Sequence, residues 1–287
     1  MQYFFLILIF WFGAALGSFV AVIANRHNTG LPFLKGRSIC FSCNAKLQKK
    51  DLIPIFSFLF LKGKCGHCGS KIPKETIIIE ILMGVLSVLA AFKSGFLVSD
   101  FSLRLATAFS EGWLLLIASY LLLTAIFANI LLISVYDLKH FIIPDSFLVS
   151  LFIFSLFYTL MPATDYWLLI NIISGIVLAI PFLLIFLISK GRWLGFGDVK
   201  YILVLGFLLG FIQGLSAIVL SFWIGAAFSL IALFLNRLKP HINLPLFKNS
   251  LTIKSEVPFG PFLSLGIIIS FYLNLDLFQI HELFNIF

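Results

Sequence analysis

The feature that most narrows the folds open to this 287-residue chain is a series of long apolar runs, each with a net charge of at most one. A helix needs roughly 20 apolar residues to cross about 30 Å of hydrocarbon. Eight such windows lie at approximately 2–24, 77–97, 113–135, 142–161, 167–189, 199–213, 216–236 and 258–279. The composition agrees: 61% of residues are hydrophobic and only 11% charged, where a water-soluble domain carries about a quarter charged residues. The expected fold is therefore an all-α polytopic membrane protein with about eight transmembrane helices. The stretch Tyr201–Asn236 exceeds one crossing, and Gly210, Gln213 and Gly214 mark the expected turn of a hairpin. The first window has no basic residue before it and no small-residue cleavage site after it, so it is expected to remain as a helix.

The net charge of +8 reads differently in such a chain than in a soluble one. Cationic segments resist translocation and sit against anionic lipid, so the excess marks cytoplasmic loops rather than a nucleic-acid footprint. With eight spans, eighteen of the twenty Lys and Arg fall on one side, and only Lys93 and Arg104 on the other. Ten of the eighteen lie in the loop after the first span. Both termini then face outward. The domains expected are residues 1–24, the first helix; 25–76, a cytoplasmic domain; and 77–287, the seven remaining helices.

All four cysteines lie in that loop, as Cys40-Phe41-Ser42-Cys43 and Cys65-Gly66-His67-Cys68, two C-x2-C knuckles with 21 residues between them. Two such turns supply the four thiolates of a tetrahedral zinc-ribbon site. Disulfides are the other use of four cysteines, but they are rare in the reducing compartment to which the charge pattern assigns the loop. Four sulfurs leave no open position, so the metal is expected to be structural, with His67 a neighbour. Between the knuckles, residues 52–61 form an apolar run too short to span. It reads equally as an interfacial or re-entrant segment and as the surface on which the ribbon packs.

A carboxylate near hydrocarbon is costly and needs a reason. Asp137 ends the third window, Asp145 begins the fourth and Asp198 begins the sixth, so all three are expected at the cytoplasmic ends of their helices. Glu80 lies early in the second. Two carboxylates brought close share a proton, and such a dyad can activate water with one member and protonate a carbonyl oxygen with the other. Gly195 and Gly197, just before Asp198, let the backbone bend and approach a substrate strand closely. The plainer alternatives are that Asp145 caps the fourth helix, that Asp137 pairs with Lys139 or His140, that Asp198 pairs with Lys200 or Arg192, and that Glu80 is capped by Arg26 or a loop lysine. No H-E-x-x-H or G-x-S-x-G motif occurs, which disfavours a zinc protease and a serine hydrolase.

Several stretches in the same order resemble the type IV prepilin peptidases, or leader peptidase/N-methyltransferases. They are Gly17-Ser18-Phe19 through Asn25-Arg26, Gly36-Arg37-Ser38, Asp51-Leu52-Ile53-Pro54, Lys62-Gly63-Lys64 with the second knuckle, and Glu80 with Gly84. Asp137 with Ile143-Pro144-Asp145, Gly195-x-Gly197-Asp198-x-Lys200 and Pro258-Phe259-Gly260-Pro261 complete the set. The resemblance implies a bacterial inner-membrane enzyme that cuts the basic leader from prepilins or pseudopilins after a glycine. It then methylates the new N-terminal amine with S-adenosylmethionine. It implies Asp137 and Asp198 as the protease dyad, supported by Gly195, Gly197, Lys200 and Asp145, and assigns methyl transfer to the large loop. No G-x-G-x-x-G motif identifies a nucleotide pocket, so Arg26, Asp51, Lys64 and Glu80 are suggested only as cofactor contacts. The rival readings are a presenilin or signal-peptide-peptidase type of intramembrane protease and a proton-coupled transporter with the aspartates as relay.

Overall fold

The computed structural model describes residues 2–30, 38–40, 42–43, 45–96, 112–161, 165–238 and 257–278. Lys35, Gly36, Arg37, Phe41, Arg104, Lys239, His241, Lys248, Lys254 and His281 lie outside the described residues. The described chain is helical: α1 (Gln2–Arg26), α2 (Phe56–Phe60), α3 (Lys74–Lys93), α4 (Gly112–His140), α5 (Asp145–Leu160), α6 (Asp165–Ser189), α7 (Phe196–Leu238) and α8 (Gly260–Leu273), with one 3-10 turn at Lys49–Leu52. Helices are what lipid demands, since each backbone polar group then finds its partner within the segment. Five helices, α1, α3, α4, α6 and α7, are long and apolar enough to cross a membrane, while α5 and α8 are apolar but shorter.

The distribution of side chains is the reverse of a soluble protein's. Leu114, Ile188 and Leu230 are all more than two-thirds exposed, whereas Ser87, Ser155, Ser216 and Ser270 are fully buried. Large apolar groups face outward to lipid, and small polar ones line the helix contacts. The chain divides into two compact units, Met1–Leu132 and Ile133–Phe287.

In the first unit α1 and α3 pack antiparallel along a stripe of small residues. Gly17 lies against Glu80, where a Cβ would come within 2.9 Å of the Glu80 Cα, and Gly13 lies against Met83 and Ser87. These glycines are four residues apart, the small-xxx-small spacing that lets two backbones approach. Ser87 Oγ then joins three helices, donating to the Ile9 carbonyl at 3.2 Å and bonding Tyr120 Oη at 2.8 Å. The short apolar run between the knuckles folds as α2, whose Phe56 stacks on Trp11 of α1 with centroids 4.7 Å apart.

In the second unit α6 and α7 meet at another glycine pair: a Cβ on Gly175 would stand 2.6 Å from the Leu203 carbonyl, and one on Gly206 2.8 Å from the Gly175 Cα. Helix α7 has 43 residues, about 65 Å of helix, or twice the hydrocarbon thickness. It breaks at Gly210, whose φ of 74° and ψ of −178° belong to glycine, at the position where the sequence marks a turn. Beyond it the chain doubles back, for a Cβ on Gly214 would lie 3.4 Å from Leu205 and 3.5 Å from Gly206. Helix α8 runs beside the second limb, packing Gly266 on Ala217 and Ser221 and donating from Ser270 Oγ to the Gln213 carbonyl at 2.7 Å, and meets the first limb where Ser264 bonds Tyr201.

Gly175→Val is expected to overpack the α6–α7 crossing and lower stability by roughly 1–3 kcal/mol. The check is thermal unfolding in detergent micelles beside Ile176→Val, a change on the outward face of the same turn, where the side chain is 48% exposed.

Candidate functional site

Two regions carry chemistry, one in each unit. In the second, Asp137 lies within the last turn of α4, 5% exposed. Its Oδ2 accepts the backbone N–H of Gly260 at 3.0 Å. Gly260 opens α8, where main-chain N–H groups have no partner within the helix, and such a group is a ready donor to a carboxylate. A Cβ at this position would stand 2.6 Å from the same oxygen, so only glycine allows the approach.

Asp198 occupies the first turn of α7. The turn closes by a bond from its N–H to the Gly195 carbonyl at 3.2 Å, and the Gly195 N–H in turn donates to the Asp198 carboxylate. Asp198 and Asp137 lie within electrostatic reach of each other, although 61 residues separate them in the chain. Behind them runs a buried polar line. Tyr201, fully buried, bonds Ser264 Oγ at 2.8 Å, and that hydroxyl donates to the Gly260 carbonyl at 2.8 Å. Tyr201 and Ser264 escaped the sequence reading, although Tyr201 stands one helical turn beyond Asp198 and so shares its face.

Two supporting residues behave differently from expectation. Asp145 is not a helix cap: Pro144 holds the N-cap position of α5, and Asp145 Oδ1 instead receives Lys200 Nζ at 2.7 Å. That ion pair ties the start of α5 to the first turn of α7, and Lys200 also lies over the Phe196 ring, 4.6 Å from its centroid. Gly197 does not open onto free space, because a Cβ there would stand 3.1 Å from Ile143 Cβ. Gly195 is the exposed one.

In the first unit the sulfur atoms of Cys40, Cys43, Cys65 and Cys68 lie within 4.8 Å of one another. Each knuckle closes a small antiparallel turn, with bridges Ile39–Lys46 and Lys64–Lys71. Gly69, at a φ of +69°, makes the turn in which its N–H bonds the Cys65 carbonyl at 2.9 Å. Ligands at about 2.3 Å on tetrahedral corners stand about 3.8 Å apart, and Cys40 and Cys68 Sγ are separated by 3.9 Å. Backbone N–H groups of Cys43 and Ser42 hold the Cys40 thiol down at about 6, so it is readily a thiolate. The four cysteines can bind a metal ion.

The same unit encloses a cavity of about 370 Å³ between the C-terminal half of α1, the start of α3, α2 and the knuckles. Arg26, Asp51 and Glu80 line it; Lys64 does not, and Lys71, its bridge partner, does. Asp51 Oδ2 accepts the Gln48 N–H at 2.9 Å. Glu80, 5% exposed, accepts the Ile55 N–H at 2.7 Å and a bond from the Ser18 hydroxyl.

Residues 11–94 match the model of the bacterial peptidase A24 N-terminal domain, and residues 124–230 that of the type IV leader peptidase family. The chain is similar to proteins named prepilin leader peptidase/N-methyltransferase in several bacteria. That of Bacillus subtilis (strain 168) is 28% identical over 267 residues, 92% of each chain. That of Aeromonas salmonicida (strain A449) is 28% identical over 84% of this chain and 72% of its own. That of Klebsiella pneumoniae is 29% identical over 70% of this chain and 84% of its own. No solved structure matches the chain.

The Lys200 and Asp145 side chains are 36% and 69% exposed, which limits what their pairing adds to stability. A double-mutant cycle on Lys200→Met and Asp145→Asn is expected to give a coupling of about 0.2–1 kcal/mol by unfolding in micelles.

Proposed function

Because the chain belongs to the type IV leader peptidase family, we propose that it is a prepilin leader peptidase and N-methyltransferase. It is a multi-pass protein of the bacterial inner membrane that removes the leader of a prepilin or pseudopilin and methylates the amine so exposed. The observation that carries the peptidase half is the meeting of Asp137 and Asp198 at helix ends in one unit, each carboxylate held by the N–H of a glycine.

In this reading Asp137 and Asp198 are the catalytic dyad. One ionised carboxylate takes a proton from water, and the protonated partner donates to the scissile carbonyl oxygen as the tetrahedral centre forms. No covalent intermediate is required. Gly260 fixes the orientation of Asp137, and Gly195 does the same for Asp198 while leaving its side of the turn uncovered for a substrate backbone. Lys200 and Asp145 are positioning residues that fix the first turn of α7. The spans of the proposal are α1, α3, α4, α5, α6, the two limbs of α7, and α8, which makes eight. Both termini lie outside and the dyad lies on the cytoplasmic side, where Lys and Arg cluster. An apolar substrate helix then rests against the bundle while its basic leader stays in the cytoplasm, so scission falls at the membrane edge.

Residues 25–76 form the cytoplasmic part between the first helix (1–24) and the peptidase part (77–287), and Cys40, Cys43, Cys65 and Cys68 hold a structural Zn²⁺ there. The metal fixes the two knuckles relative to each other and takes no part in cleavage. S-adenosylmethionine supplies the methyl group for the second reaction as a sulfonium.

Asp137→Asn and Asp198→Asn are each expected to lower leader cleavage by about 10²–10⁴-fold or more while membrane insertion stays intact. The readout is mass spectrometry of a prepilin after incubation with purified enzyme. A rate within tenfold of the unaltered protein would remove that residue from the mechanism. Cys40→Ser combined with Cys68→Ser is expected to reduce bound zinc from about one equivalent per chain to well under half, by elemental analysis.

A further inference from the structure

The dyad chemistry lies wholly in the second unit and leaves one buried acid of the first unit without a task. Glu80 stands in a helix apolar enough to cross a membrane, 5% exposed, and an acid in that setting calls for a function. Its carboxylate borders the cavity of about 370 Å³, a volume within the range of small-molecule sites, about 300–1,000 Å³. We infer that this cavity is where the methyl group is transferred, and that Glu80 takes the proton which the substrate's N-terminal ammonium must lose. The inference rests on the N-methyltransferase half of the proposed function and adds to it a place and a base.

The chemistry sets the requirement. An ammonium has no lone pair and cannot attack a methyl group, so R–NH3⁺ first gives a proton to the Glu80 carboxylate and becomes R–NH2. The nitrogen lone pair then forms a bond to the methyl carbon as the carbon–sulfur bond of the sulfonium breaks, its electron pair returning to sulfur. The products are a secondary ammonium, R–NH2⁺–CH3, and a neutral thioether. Glu80 afterwards releases its proton to water.

Besides Cys40 and Cys65, whose sulfurs belong to the metal-binding cluster, four charged side chains border the cavity: Arg26, Asp51, Lys71 and Glu80. Arg26 and Lys71 are cationic and cannot serve as the base. Asp51 accepts from the Gln48 N–H in its own 3-10 turn and is less buried. Glu80 is anchored from two elements, by Ser18 of α1 and by the N–H of Ile55. That second donor is unusual. Ile55 has φ 62° and ψ −52°, a conformation that β-branched residues avoid, in a γ-turn closed by the Phe56 N–H and the Pro54 carbonyl. Strain of this kind persists where the surroundings over-determine it, and it clusters at functional sites. Here it aims a main-chain N–H at a carboxylate and fixes where that carboxylate points. Opposite charges at the rim suit a zwitterionic donor, with Arg26 or Lys71 for its carboxylate and Asp51 for its ammonium. Phe58, Leu61 and Ile77 offer an apolar wall for a nucleoside.

The test uses the full-length protein in lipid nanodiscs, a prepilin substrate and S-adenosylmethionine labelled in its methyl group. Glu80→Gln keeps an oxygen for the Ile55 N–H but cannot serve as a base. It is expected to lower methyl incorporation at least 100-fold while retention of the labelled donor stays within threefold. Val22→Trp places an indole in the cavity and is expected to weaken donor retention at least tenfold. Circular dichroism and thermal unfolding report whether each variant folds, and if Val22→Trp does not, Glu80→Gln decides. A merely structural Glu80 would leave methylation by the glutamine variant within threefold of normal, and that result overturns the inference alone. An unaltered protein that transfers no methyl group overturns the N-methyltransferase reading, and the inference with it.

Discussion

A carboxylate among apolar side chains needs a hydrogen-bond donor that no other group has claimed. Where the described residues are mostly helical, the uncommitted main-chain donors lie at helix starts. Both acids buried among the described residues are served in that way. Asp137 is met by the N–H of Gly260 at the first residue of α8, and Glu80 by that of Ile55 just before α2. Each bond joins segments far apart in sequence, and each fixes the direction of a group that would otherwise be costly to bury. The irregular places between helices, rather than the helices themselves, decide where the chemistry can be.

Close approach of backbones is the second condition. Gly13 and Gly17 on α1, Gly175 on α6, and Gly206 and Gly266 on α7 and α8 each stand where a methyl group would meet a neighbouring helix. Lipid supplies no hydrophobic drive between helices, so contact area gained through small residues and buried serine hydroxyls takes its place. The result is a set of tightly crossed pairs whose outer faces are left to bulky aliphatic residues.

Much of this was legible in the sequence, and what was not has a common cause. Apolar windows located every long helix among the described residues, because hydrophobic length is a local property. The break at Gly210 was visible because 36 apolar residues overrun one membrane thickness. The cysteine knuckles were visible because ligand spacing is written in the chain. Apart from the expected approach of Asp137 and Asp198, pairings across large separations were not. The Pro258-Phe259-Gly260 stretch was recognisable, but nothing local says that Gly260 lacks a side chain in order to admit Asp137. Asp145 follows a proline at a helix start and so reads as a cap, yet Pro144 takes that position and Lys200, 55 residues on, takes the carboxylate. Gly197 reads as an opening for a substrate strand, but Ile143 fills the space beside it.

The reversal in α7 is made almost entirely by one residue, so the two limbs follow each other with hardly any connecting loop. At that end the surface offers little for a protease to nick or an antibody to grip. In the proposed topology the two limbs enter the bilayer together as a pair, since neither has a polar tether long enough to wait outside.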